Sequence, residues 1–240
     1  MDELIPDEST KPVAVIPGWY GKLPSLGDFA GRRLPPTFVD GWDGWLQGVL
    51  QATQDAIGPG WLDTYLTTPI WRFALLPGLL GPSGWAGVLM PSVDRVGRYF
   101  PLSVTVELPS YAAVAHAVFK GADWFAGLED ATLGMLDPGR SPDDLDETLA
   151  ALPLSLPAIE DVEDAADSPR TLPSIEGFES VAGGRALAAW AQQRGWRGLW
   201  WTRGRVDGPA LVFTCTGLPT AEEFGKLLES RPSAPAILGS

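Results

Sequence analysis

The chain has 240 residues, with 30 Asp and Glu against 17 Lys and Arg, one His, one Cys and a net charge of −13. One Cys excludes an internal disulfide framework and, with a single His, any zinc site built mainly from those two residue types. Hydrophobic residues at 45% and charged residues at 20% describe a globular chain that buries a core, and its acidity argues against nucleic acid as a ligand.

Residues 1–12 are acidic, show no apolar run behind a basic segment, and read as a disordered tail without a signal peptide. No run approaches the roughly 18 apolar residues of a membrane span. A soluble, cytoplasmic protein is therefore expected, with residues 13–240 forming one domain.

Residues 13–20 (VAVIPGWY) read as a strand interrupted by Pro-Gly. Thr37, after Pro35-Pro36, is the predicted cap of a helix whose Phe38, Trp42, Trp45, Leu46, Val49, Leu50 and Ile57 recur at helical spacing until Gly58-Pro59. Segments 70–77, 84–91 and 96–108 follow with Gly/Pro turns between them, suggesting consecutive antiparallel strands. In the third, Ser103, Thr105 and Glu107 alternate with Val104, Val106 and Leu108, predicting one wet face and one buried face. Ser110 is placed to cap a long helix over 111–136.

Residues 137–179 hold 12 acids and 2 bases, a net of −10. Proline and like charge oppose packing, so about 153–180 reads as a solvated excursion, either a linker or an acidic arm for a basic surface. Over 181–206 there are five Arg and no acid, with Trp190, Trp196, Trp200 and Trp201 among them, suited to ion pairing with that segment or with a protein. A helix at 183–194, a strand pair (199–202 and 211–216, turning at Val206-Asp207-Gly208) and a helix with a Thr220/Glu223 capping box complete the chain. The class is α+β: a mainly antiparallel sheet of about five or six strands flanked by helices, layered α/β/α.

Chemical motifs are weak. His116 lies inside an apolar helical run, Leu23-Pro24-Ser25-Leu26-Gly27 lacks the first glycine of a nucleophile elbow, and Gly18–Lys22 has the wrong spacing for a phosphate loop. Cys215 shares a strand face with Leu211 and Phe213, which suits a buried, inert thiol. No cofactor or metal is expected.

Two segments carry more information: Pro17-Gly18-Trp19-Tyr20-Gly21-Lys22-Leu23-Pro24-Ser25-Leu26-Gly27-Asp28-Phe29, and Trp71-Arg72-Phe73 leading to the stretch from Gly84 to Leu102 (GWAGVLMPSVDRVGRYFPL). With Leu199-Trp200-Trp201-Thr202 and Gly217-Leu218-Pro219, they resemble the TagF family of accessory proteins of bacterial type VI secretion. The resemblance implies a non-enzymatic, cytoplasmic, post-translational repressor whose partner is the forkhead-associated scaffold component of that apparatus. Some relatives are fused to a metal-dependent phosphatase; here a phosphatase would have to be a separate protein. The family supplies no interface residues.

From the residues themselves, the Gly-rich 17–29 segment has two readings. Its aromatics either fold back over the core, or Trp19 and Tyr20 anchor a partner with Lys22, Asp28, Arg32 and Arg33 at the rim. In 92–98, Asp94 either caps a turn and pairs with Arg95, or Arg95 and Arg98 meet a partner's carboxylate or phosphate. The expected partner-binding set is Trp19, Tyr20, Lys22, Asp28, Arg32, Arg95 and Arg98. The rivals are a hydrolase using Ser25 or Asp28, which needs a base in reach of Ser25, and a structural subunit of the secretion machine.

Overall fold

A computed structural model describes residues 13–156, 195–203 and 211–230. The tail at 1–12, most of the acidic excursion, the helix expected at 183–194 and the turn at 206–208 lie outside the described residues.

Seven strands form one antiparallel sheet: β2 (Gly18–Gly21), β3 (Ala30–Arg32), β4 (Trp71–Leu75), β5 (Gly84–Met90), β6 (Leu102–Leu108), β8 (Gly198–Trp201) and β9 (Val212–Cys215). Their order is β3-β2-β6-β5-β4-β8-β9. The strand beyond the expected five or six is β3, by which the Gly-rich loop returns against β2. The interrupted strand at 13–20 divides between two sheets. Its first half, β1 (Val13–Val15), leaves the main sheet and pairs with β7 (Leu154–Leu156). Thus the first residues of the expected acidic excursion are paired, with Leu154 and Leu156 buried.

Helices cover both faces of the main sheet. On one side lie α1 (Pro36–Ile57), α2 (Trp61–Thr67) and α6 (Ala221–Glu229), whose apolar stripes meet Trp71, Phe73, Trp85 and Trp200. On the other lie α3 (Tyr111–Lys120), α4 (Ala122–Gly134) and α5 (Pro142–Ala150), packed on Ala86, Val88, Val104 and Val106. This double covering corrects the wet face expected for 103–107. Ser103 and Thr105 are fully buried, and only Glu107 of β6 is exposed. Their hydroxyls are satisfied inside: Ser103 Oγ accepts from Trp42 Nε1 at 2.8 Å, and Thr105 Oγ1 donates to the Ala86 carbonyl at 2.8 Å.

Helix starts differ from expectation at one point. α1 begins at Pro36, with Pro35 rather than Thr37 at the cap. A proline there has no N–H to leave unsatisfied, and its fixed φ suits a first turn. The long helix expected at 111–136 breaks at Gly121, which ends α3 and opens α4. Ser110 caps α3 and the Thr220/Glu223 box caps α6, as their spacing predicts. Across the sheet, Arg72 of β4 makes a bidentate pair with Glu129 of α4, at 2.6 and 3.0 Å, with both side chains buried. That pair locks the α4 layer to the sheet centre, because separating it would strand a charge away from water.

Candidate partner-binding surface

The β2–β3 loop lies against the turn between β5 and β6, and a single carboxylate organises the contact. Asp94, with no exposed side-chain surface, accepts from Lys22 Nζ at 2.9 Å, Arg98 Nε at 2.7 Å, Val96 N at 3.0 Å and Arg98 N at 2.9 Å. Burial alone would raise this carboxyl. The four donors outweigh it and hold Asp94 well below the usual carboxylate range. The loop and the turn are also stitched through backbone groups: Arg95 N donates to the Leu26 carbonyl at 2.8 Å, and Ser92 Oγ to the Lys22 carbonyl at 2.7 Å. Arg98 Nη2 reaches the Gly27 carbonyl. Two glycines make this approach possible. Gly21 has φ +144, and a Cβ there would sit 2.1 Å from the Pro101 carbonyl oxygen; Gly97 turns the chain at φ +84.

Beneath the turn, Tyr65 OH donates to the Ser92 carbonyl and accepts from Ser92 N, both at 2.9 Å. Phe29 closes the base of the loop, edge-on to Phe100 at 4.8 Å, with the Lys22 ammonium 4.9 Å from its ring centre.

The structure therefore divides the residues singled out in the sequence. Trp19 is 1% exposed and Lys22 is 4% exposed, so neither offers a side chain to a partner. The Trp19 indole instead donates to Asp146 Oδ1 at 2.8 Å. Tyr20 is half-buried and donates to Asp43 at 2.8 Å; burial first, and that carboxylate second, push its phenol up. Arg32 reaches Asp143 at 2.7 Å and also Asp146, while Arg33 meets Asp146 at 2.8 Å and the Pro17 carbonyl at 2.8 Å. These guanidiniums fasten the start of the acidic stretch, through α5, to the edge of the sheet. Asp28, Arg95 and Arg98 remain outward at the tip, and Arg98 is half committed to Asp94.

Sequence reasoning missed the exposed apolar groups beside them. Val96 is 66% exposed, Phe29 41% and Tyr99 37%. The available signal was a valine between two arginines in a turn that ends in glycine. The opposite error, treating Trp19 and Lys22 as outward, came from a loop-like composition that gives no clue to helix α5 covering the edge.

Ser25 Oγ is shielded from solvent and, among the described residues, no base lies within hydrogen-bond reach of it. Cys215 is buried and donates to the Gly217 carbonyl at 2.9 Å; burial, then the nearby Glu223 carboxylate, push its thiol up to about 12. His116 Nε2 lies 3.0 Å from the Ser155 carbonyl and joins α3 to β7. Among the described residues no three His, Cys, Asp or Glu side chains gather to hold a metal, and no helix is long and apolar enough to cross a membrane.

Residues 18–152, which contain both the loop and the turn, match the family described as the TagF N-terminal domain, type VI secretion system-associated. The chain belongs to the TagF family. Its type VI secretion association is thereby shown, and the segments quoted for the resemblance fall largely within the matched range. Among solved structures, the TagF chain is similar to PA0076 from Pseudomonas aeruginosa PAO1. The two are 39% identical with a TM-score of 0.71, over 93% of this chain and 99% of that one. No curated protein matches it.

Proposed function

We propose that this TagF-family chain is a non-enzymatic cytoplasmic regulator that represses type VI secretion after translation, by binding the forkhead-associated scaffold component and withholding it from assembly. Membership of a secretion-associated family carries this reading. The geometry supports it: the loop and turn form a cross-braced platform whose outward groups, Asp28, Arg95 and Arg98 among them, are suited to contact rather than bond-making. Repression then follows from mass action, since each occupied scaffold molecule is removed from the machine.

The test pairs a binding measurement between purified chain and scaffold component with a secretion assay in cells carrying Arg95→Glu. Arg95 is exposed and, among the described residues, its guanidinium pairs with no carboxylate, so the substitution tests contact more than folding. Loss of the complex together with release of secretion is the expected result. Repression that persists when no complex forms refutes sequestration.

A further inference from the structure

Two features of the tip of the β5–β6 turn bear on what it contacts. The tip gathers guanidiniums on a chain of net charge −13, and it leaves Val96 mostly exposed, with Tyr99 and Phe29 partly so. Packing places Phe29 on Tyr20 and Phe100, and Tyr99 on Trp61 and Tyr65, but folding accounts for neither the outward Val96 nor the outward Arg95. The shape of the turn is fixed by Asp94 and by Gly97, and neither requires a β-branched apolar residue at position 96. Among the described residues no carboxylate pairs with the Arg95 guanidinium, whereas Arg98 directs Nε and Nη2 inward. The backbone from 94 to 98 is already held by Asp94 N to the Arg98 carbonyl at 3.0 Å and Gly97 N to the Asp94 carbonyl at 2.9 Å. A partner meeting this turn would have little left to order, and ordering is a main cost of association.

We propose that residues 95–99, with Phe29 at their base, are a preformed plug whose partner is a protein surface bearing an apolar pocket rimmed by carboxylates. Val96 enters the pocket, Tyr99 and Phe29 cover its lip, and Arg95 meets the carboxylates. Complementarity of charge favours this occupant: a second copy of so acidic a chain is repelled at long range, and an anionic ligand alone leaves the apolar groups uncovered. The plug rests on the regulatory reading above and adds to it the chemistry of the receiving surface.

The test titrates the full-length chain against the forkhead-associated component at two salt concentrations, with Val96→Asp, Arg95→Glu and, as an exposed control on α4, Leu133→Asp. Val96→Asp should weaken binding by at least about 30-fold, the size of an interface hot spot. Arg95→Glu should weaken it by roughly 10-fold and flatten the salt dependence. Leu133→Asp should bind like the parent, and all three should melt alike. If the parent binds and Val96→Asp binds equally well, the plug is wrong and the regulatory reading stands. A parent that does not bind removes both. A parent that is dimeric in solution and made monomeric by Val96→Asp identifies a second copy as occupant and overturns the proposal.

Discussion

Replacing Asp94 by Asn tests the electrostatic knot that shapes the platform. Asparagine keeps the shape and can still accept the Val96 and Arg98 amides, but it removes the charge that faces Lys22 at 2.9 Å. The Lys22 side chain is 5% exposed, so its ammonium would be left without an anion and with little water. Stranding one member of a buried pair costs about 3 kcal/mol, and in a chain of this size that lowers the melting temperature by roughly 6–12 °C. Removing both charges in Lys22→Met/Asp94→Asn should recover about half of the loss, because no buried charge then lacks a partner. The 11 tryptophans make urea unfolding followed by fluorescence a direct assay. The sign of the pH dependence is fixed too. The folded carboxyl titrates below its unfolded value of about 3.9, so its stabilisation is present above that value and fades as pH falls further. The gap between parent and Asp94→Asn should therefore narrow from about pH 4 downward. A single variant within about 1 kcal/mol of the parent, or a double variant no more stable than the single, refutes the reasoning.

Two further outcomes follow from the half-buried His116 and the buried Cys215. Burial first, and then nearby Lys120, lower the His116 imidazole, so the folded protein resists a proton that the unfolded chain accepts. Stability should decline as pH falls below the unfolded value of about 6.5, and His116→Gln, measured by melting between about pH 7.5 and 5, should show a shallower decline. Cys215, with its thiol raised to about 12, should remain unmodified by a thiol reagent at neutral pH in native protein and react at once in urea. Rapid native labelling would show that β9 opens far more readily than its packing implies.

How much of this could be read beforehand depended on whether the deciding contacts were local. The Thr220/Glu223 box, the Ser110 cap, the stripe of α1 and the three central strands are set by neighbours in sequence, and they stand where spacing places them. Ser103 and Thr105 misled because a period of two shows that a strand has two faces, not that one of them is wet. Only the layer of α1, α2 and α6 decides that, and it is drawn from both ends of the chain. The burial of Trp19 under Asp146, 127 residues away, and the Arg72–Glu129 pair, 57 residues apart, left no local mark. Of the platform, the arginines were legible as exposed charge in a turn. Asp94 as the common partner of Arg98 and Lys22 was visible only in part, since Lys22 arrives from a different hairpin.

The small β1–β7 sheet has a geometric consequence. Its register places Val13 opposite Leu156. Partners across an antiparallel ladder lie about 5 Å apart, so whatever polypeptide precedes Val13 and whatever follows Leu156 are tethered at one doorway of the molecule. Asp2, Glu3, Asp7 and Glu8 belong to the first of these stretches, and Glu160, Asp161, Glu163 and Asp164 to the second. A dye, tag or fused protein joined ahead of residue 13 is thus delivered to the threshold from which the most negatively charged part of the chain departs.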